Sequence, residues 1–289
     1  MKKKTLFIMI FCLGFVFSCS NDSDDSETIT VRVDRSANLL ATGASANDIL
    51  SNANFDELRI EIGFVTGFRP TQTAMNNFVD FLRDRTFKQD IEIIYTELPS
   101  PNEETLVLEE IADLEEENRT AYNDGSTLAI YIYFADAPSD GDDLDEGLVT
   151  LGAVYQNTSM IIYESTIRNL ASRSSLVSVT ELETATLNHE FGHLFGLVNL
   201  GTDAINDHED PEADNHCIVD GCLMRAQLQF GATARTQNLT GKASTIRSAC
   251  NLNGNSVLKI LESNVSRGFA AVPLLDAECL LDLESNGGR

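Results

Sequence analysis

Residues 128–134 read LAIYIYF, an uncharged apolar run rich in isoleucine and aromatic side chains. A short run of this kind is typical of a strand that is buried on both faces. We therefore place a central β-strand at residues 128–134.

Strand-like and helix-like segments alternate on both sides of this run. The strands are predicted at 58–65, 91–98, 148–155 and 159–164, and the helices at 70–87 and 103–119. Residues 156–158 join the last two strands, which is consistent with an antiparallel hairpin at the sheet edge. The alternation predicts an α/β fold with a mixed, twisted sheet and an antiparallel edge strand.

The composition is that of a folded, acidic protein. The 289 residues are 43% hydrophobic, enough to bury a core, and the formal net charge is -25. Such a charge repels the phosphate backbone, so we exclude nucleic acid as a partner.

The N-terminus is typical of an exported lipoprotein. Lys2, Lys3 and Lys4 precede an apolar segment that ends at residue 18, which predicts a signal peptide over residues 1–18. The stretch 16–19 resembles a bacterial lipobox, in which Cys19 is lipidated. We expect an outer-membrane or cell-surface protein that contacts the membrane only through this anchor, with a polar tether over residues 19–55. The alternative is a secreted protein with a free thiol at Cys19.

Four cysteines follow Cys19, at positions 217, 222, 250 and 279. An even number in an oxidising compartment makes two disulfides plausible. Three pairings are possible, and closeness in sequence favours Cys217 with Cys222 and Cys250 with Cys279.

Residues 189–193 read HEFGH and carry the predicted chemistry. On an α-helix, His189 and His193 share a face, so both imidazoles can reach one metal ion. Zinc accepts such ligands and lowers the pKa of a bound water, and Glu190 lies where it can take the proton. The alternative is a helix whose two histidines only pack or face solvent.

The limits of this helix also have sequence signals. Thr180 and Glu183 have the spacing of a capping box at its start. Gly196 follows His193 at a position where a helix can end sharply.

The stretch HEFGHLFGL resembles the metzincin zinc peptidases, in which a third ligand and a Met-turn complete the site. The simplest version of that pattern fails, because residue 199 is Asn. Instead, His216, Cys217, Cys222 and Met224 resemble the HCx4CxM stretch of the archaemetzincins. The resemblance implies that His216 is the third zinc ligand and Met224 the Met-turn residue. It also implies a zincin-like domain at 56–289, with subdomains at about 56–197 and 198–289, the C-terminal one being smaller.

This resemblance has a limit. Archaemetzincins continue with a CxxC pair that completes a second, structural zinc site, and this chain has no such pair. A disulfide between Cys217 and Cys222 is therefore favoured over a second zinc.

Other residues remain candidates for the third ligand. His208 is followed by Glu209, much as the third histidine of astacin-like metzincins is followed by Glu. His208 lies in an acidic insertion between Val198 and Asn215, and Asp203 and Asp207 of this insertion are further alternatives.

These residues predict a zinc-dependent, monomeric metallopeptidase that acts on extracellular or periplasmic peptides or proteins. Glu190 is the general base, and endopeptidase action is favoured over aminopeptidase action. One alternative is a non-catalytic surface lipoprotein that uses the same fold for binding or adhesion. A second is zinc-dependent hydrolysis of a bond other than a peptide bond.

Overall fold

A five-stranded sheet lies at the centre of the structure, a computed structural model that describes residues 34–143, 148–225 and 254–289. The strands are β1 (Glu57–Val65), β2 (Asp90–Leu98), β3 (Thr127–Phe134), β4 (Gly152–Gln156) and β5 (Ser159–Ile162). Their spatial order is β2-β1-β3-β5-β4, with all neighbours parallel except β4 and β5. The predicted α/β fold with an antiparallel edge strand is confirmed.

Strand β3 is the middle strand, as its sequence predicts. Its residues from Leu128 to Phe134 are all buried. Alternate side chains point to opposite faces, so Ile130 and Ile132 join one apolar core while Tyr131 and Tyr133 join another. A strand buried on both faces needs a continuous apolar run, which explains residues 128–134.

Helices cover both faces of the sheet. They are α1 (Ala46–Leu50), α2 (Gln72–Arg85), α3 (Leu108–Asn118), α4 (Glu164–Ala171), α5 (Val179–Leu194), α6 (Gly254–Ser266) and α7 (Ala277–Ser285). A small hairpin of β6 (Glu209–Asp210) and β7 (Ala213–Cys217) follows α5. Among the described residues, none of the helices combines the length and apolar character that crossing a bilayer requires.

Part of the predicted polar tether is folded. Residues 34–55 belong to the same compact unit as the sheet, and Ile49 and Leu50 of α1 are buried in its core. The apolar side of this short helix explains the difference, because its burial stabilises the segment against the domain. The predicted signal peptide and Cys19 lie outside the described residues, and the boundary between subdomains near 197 stays a prediction.

Helix α5 begins two residues earlier than its sequence suggests. The capping box is formed by Ser178 and Glu181, whose carboxylate accepts from the Ser178 backbone N–H at 2.6 Å. The predicted box of Thr180 and Glu183 is therefore wrong. Glu183 instead accepts the backbone N–H of Thr71 at 3.0 and 3.1 Å, which joins α5 to the start of α2.

A second buried carboxyl group lies beside Glu183. Glu164, the first residue of α4, pairs with Arg168 at 2.6 Å, and its side chain is buried. Burial, and next the neighbouring Glu183 carboxylate, raises the pKa of Glu164 to about 9. Glu164 therefore keeps its proton at neutral pH and lets two carboxyl groups lie side by side between α4 and α5.

We predict that Glu164→Gln removes part of the pH dependence of stability. An unfolded glutamate titrates near 4.5 and folded Glu164 at about 9, so the unfolded state loses the proton first as pH rises. Between these values the free energy of unfolding of the wild type should fall by up to about 1.4 kcal/mol per pH unit from this group. Urea unfolding at pH 6 and pH 8 measures it.

The variant should gain stability relative to the wild type as the pH rises from 6 to 8. Glu104→Gln, at an exposed position, is the control and should follow the wild type. Identical pH dependence for Glu164→Gln and the wild type would contradict the assignment.

Candidate active site

The second half of α5 carries the predicted motif inside the protein. His189, Glu190 and His193 have no exposed surface. The helix packs against α2, α4 and β4, and the ring of Phe191 meets that of Phe78 edge to face at 5.2 Å. The alternative in which the two histidines face solvent is thereby excluded.

Gly196 ends this helix. The Gly196 N–H donates to the His193 carbonyl at 3.0 Å and the Leu197 N–H to the Gly192 carbonyl at 3.2 Å, which is the Schellman arrangement. Gly196 has a φ of 73°, and a Cβ here would lie 2.8 Å from the Thr202 nitrogen. Only glycine fits both constraints, so the chain turns sharply away from the helix just after His193.

The third histidine of the site lies immediately after the insertion. His216 lies at the end of β7, and its ring centroid is 5.5 Å from that of His189 and 5.1 Å from that of His193. The rings of His189 and His193 are 5.0 Å apart. The three imidazoles therefore form a nearly equilateral group, all buried, and their candidate ligand atoms lie within 4.8 Å of one another.

Hydrogen bonds to backbone carbonyls orient two of these rings. His189 Nδ1 lies 2.8 Å from the Leu223 carbonyl oxygen, and His216 Nδ1 lies 2.8 Å from that of Asp214. A carbonyl accepts only, so both Nδ1 atoms donate and each neutral ring keeps its lone pair on Nε2. This is the second contact that metal-ligating histidines usually make.

The donor set fits zinc. The Nε2 atoms of His189 and His193 are 3.3 Å apart. Two nitrogens on a tetrahedral zinc, each at about 2.1 Å, would be about 3.4 Å apart. His193 Nδ1 is buried and has no hydrogen-bond partner among the described residues.

The environment keeps the three imidazoles neutral. Burial, and next the nearby His216, lowers the pKa of His189 to about 3. Burial is also the main cause that lowers the pKa of His193 and of His216. Neutral imidazole is the form that binds zinc, so these side chains are ready to act as ligands at physiological pH.

Glu190 is a buried carboxyl group beside these rings. Neither of its oxygens has a hydrogen-bond partner of normal geometry in the described part of the chain. Its side chain packs against the edge strand, where a Cβ on Gly152 would lie 2.9 Å from the Glu190 Cγ. Burial raises the pKa of Glu190 well above its usual range, and the nearby Val154 backbone opposes this rise in part. A carboxyl group at this position has the chemistry to accept and return a proton.

Met224 lies against the same helix turn. It is buried, and a Cβ on Gly192 would lie 2.2 Å from the Met224 sulfur. Gly192 therefore provides the space that Met224 fills between His189 and His193. The residue before it, Leu223, supplies the carbonyl that orients His189.

His208 belongs to a different group of candidate ligands. His208, Cys217, Asp276 and Cys279 offer ligand atoms that all lie within 4.8 Å of one another. His208 Nδ1 is 3.3 Å from the Cys217 sulfur, and the sulfurs of Cys222 and Cys279 are 3.6 Å apart. We call His208, Cys217, Cys222, Asp276 and Cys279 the thiol cluster.

The predicted disulfide between Cys217 and Cys222 is absent, since Cys217, Cys222 and Cys279 are all free thiols. The Cys222 sulfur also lies 3.6 Å from that of Cys279 of α7, because folding brings that helix against the turn at residue 222. Closeness in sequence therefore did not reveal that Cys279 joins these thiols. Cys250 lies outside the described residues, so its predicted pairing is untested.

The structure thus brings the rings of His189, His193 and His216 together, with the buried Glu190 next to His189 on α5 and Met224 packed against Gly192. His208 lies elsewhere, and the alternatives Asp203 and Asp207 are exposed and in neither ligand group. The convergence of His208, Asp276 and Cys279 was not predicted from the sequence. No spacing signal could have joined them, because 68 positions separate His208 from Asp276.

A solved structure of low sequence identity is similar to this chain. No family model matches this sequence, and no curated protein matches it. The crystal structure of archaemetzincin from Methanopyrus kandleri is similar, with a TM-score of 0.45 and 12% sequence identity. The match covers 80% of this chain and 96% of that chain. The interpretation of the site therefore depends on its own residues.

Proposed function

We propose that this protein is a zinc-dependent peptidase whose metal is held by His189, His193 and His216. The observation that carries the proposal is the convergence of three buried, neutral imidazoles beside a buried carboxyl group that lacks a hydrogen-bond partner of normal geometry. Burying a carboxyl group without a hydrogen-bond partner costs about 1–3 kcal/mol of stability. A residue with a purely structural role would not carry this cost.

The residues divide the chemistry between them. When bound, zinc supplies a Lewis acid that lowers the pKa of a water molecule and polarises a carbonyl group. Glu190 accepts the proton of the attacking water and returns it to the leaving amine. His189 and His216 are held in place by their carbonyl contacts, so that the ligand nitrogens need little rearrangement.

The substrate is proposed to be a peptide or protein segment that binds along β4. This strand pairs with β5 on one side and with no other strand among the described residues. An extended peptide can add to such an edge through main-chain hydrogen bonds. Gly152 brings the backbone of β4 close to Glu190, so a peptide on this edge lies near the proposed base.

The proposed place of action is outside the cytoplasm, at the outer membrane or the cell surface. This part of the proposal is supported by residues 1–19 alone, which resemble a lipoprotein leader. We propose a monomer whose membrane contact is limited to the lipid at Cys19.

We also propose that the thiol cluster holds a second zinc with a structural role. Its ligands are His208, Cys217, Cys222 and Cys279. Two thiolates on a tetrahedral zinc would be about 3.8 Å apart, close to the 3.6 Å between Cys222 and Cys279. Asp282 of α7 lies 2.7 Å from His208 Nε2 and can orient that ring.

Asp276 is assigned a different role in the thiol cluster. Its Oδ1 accepts the backbone N–H groups of Glu278 and Cys279 and so caps α7. In the proposed second zinc site, His208 and Cys279 would take the places that a CxxC pair has in the archaemetzincin pattern. It would join the insertion, the turn before Met224 and the C-terminal helix.

We predict that Glu190→Gln abolishes peptidase activity while the zinc content stays at the wild-type level. The amide cannot accept the proton, and loss of general base catalysis costs about 10²–10⁴-fold in rate. A panel of fluorogenic peptides and elemental analysis of the same samples provide the measurement, with Glu104→Gln as the control.

Two results would count against the peptidase. Equal inertness of the wild type and Glu190→Gln, together with retained binding of a partner protein, would favour the binding or adhesion alternative. Hydrolysis of non-peptide substrates only would favour a different hydrolase.

We predict two zinc ions per chain in the wild type and one in Cys279→Ser. The variant should keep the zinc on the three histidines but melt at a lower temperature, because α7 loses its attachment. Elemental analysis and thermal unfolding measure both effects.

Cys250→Ser is the matched comparison, since the pairing predicted from sequence makes Cys250 the partner of Cys279. This variant should keep both zinc ions. A disulfide that involves Cys279, found by mass spectrometry of the untreated protein, would contradict the second zinc.

A further inference from the structure

We infer that Glu209 is a positioning residue for the zinc ligand His216, acting through the peptide group between Asp214 and Asn215. The inference rests on the proposed function, since it assigns a role toward the metal that His216 would hold. It concerns residues of the insertion that the peptidase chemistry does not otherwise use.

The insertion must return the chain to α5 after a long excursion. It leaves near Asn199 and comes back at Asn215, immediately before His216. Both asparagines have left-handed backbone angles, with φ of 64° and 62°. This conformation is uncommon for residues other than glycine and persists only where surrounding contacts fix it.

Glu209 supplies these contacts at both ends. One carboxylate oxygen accepts the Asn199 side-chain amide at 2.8 Å, and the other accepts the Asn215 backbone N–H at 2.6 Å. Asn199 in turn accepts the backbone N–H of Ala204 at 3.4 Å. The carboxylate therefore closes the insertion where it begins and where it ends.

The contact with Asn215 reaches the ligand ring through one peptide group. The N–H of Asn215 and the carbonyl of Asp214 belong to the same peptide unit, which is planar and rigid. That carbonyl accepts from His216 Nδ1 at 2.8 Å. A continuous chain of hydrogen bonds thus runs from the Glu209 carboxylate, through one peptide plane, to the imidazole.

This chain has two consequences for metal binding. It fixes the peptide plane and thereby the direction of the His216 ring. It also places the negative charge of Glu209 at the far end of the chain of hydrogen bonds. This charge strengthens the hydrogen bond that His216 Nδ1 donates and makes His216 Nε2 a stronger ligand for a cation. The carboxylates of Asp210 and Asp214 also lie near His216 and add to the same favourable field.

Asn199 gains a role in this arrangement. It occupies the position at which the simplest metzincin pattern has a ligand, and here its side chain holds Glu209 instead. Asn199, a poor zinc ligand, therefore supports the site indirectly by holding Glu209 in place.

The test compares three variants of the full chain, Glu209→Ala, Glu209→Gln and Glu212→Gln. Glu212 is an exposed glutamate of the same insertion whose side chain is outside the hydrogen-bond chain, so Glu212→Gln is the matched control. The readouts are the rate of zinc release to a chelator, the visible spectrum after substitution with Co²⁺, and the melting temperature of the metal-free protein.

Glu209→Ala should release zinc from the three-histidine site at least about tenfold faster, as for other partners of metal-bound histidines. Its ligand-field bands for Co²⁺ should change while any thiolate-to-cobalt bands stay the same. Glu209→Gln should be intermediate, because the amide oxygen can still accept the Asn215 N–H. Glu212→Gln should match the wild type, and all metal-free proteins should melt together.

Wild-type release rates and spectra in Glu209→Ala would overturn the inference. So would a metal-free Glu209→Ala protein that melts well below the others, because the residue would then act on folding in general. A different variant, His216→Ala, tests the proposed function. If His216→Ala keeps the metal binding and the spectrum of the wild type, both the proposed function and this inference fail.

Discussion

Three imidazole rings and one carboxyl group are buried together at the end of α5, and the rest of the structure serves that burial. Polar groups in an apolar interior cost free energy unless they find partners. Two of the rings satisfy Nδ1 with backbone carbonyls, so each neutral ring keeps its lone pair on Nε2. A cation is the partner that three convergent nitrogen lone pairs require.

The fold holds this group from several directions. Ser178 and Glu181 cap the start of α5, and Gly196 ends it, so the motif occupies a helix of defined length. Edge strand β4 covers Glu190, and Met224 fills the space beside Gly192. The third ring comes from outside the helix, and its position depends on how the insertion folds back. Helix geometry therefore provides two ligands, and tertiary structure must provide the third.

Local patterns predicted most of the sheet. The runs at 58–65, 91–98 and 128–134 became β1, β2 and β3 with shifts of one residue. Only the fully buried β3 leaves a continuous apolar signal, whereas β1 and the partly exposed edge strand β2 mix apolar and polar residues. The position of the motif on a helix followed from its spacing alone. Residues 34–55 were misjudged because their polar average hides the apolar side of α1.

The contacts across long stretches of sequence could not be predicted in the same way. Apart from the resemblance of the stretch from His216 to Met224 to the archaemetzincins, nothing in the local sequence distinguishes His208 from His216 as a ligand. The choice depends on a hairpin of β6 and β7 that turns one ring toward α5 and the other toward α7. The approach of Cys279 to Cys222 was likewise not predictable from local spacing, since it depends on the packing of the C-terminal helix.

The most direct measurement is X-ray diffraction from crystals of the protein grown with zinc, with data recorded on both sides of the zinc absorption edge. A peak of anomalous density at about 2.1 Å from the Nε2 atoms of His189, His193 and His216 is the expected result. A map without a peak between these rings, or rings that turn away from one another, would contradict the central claim.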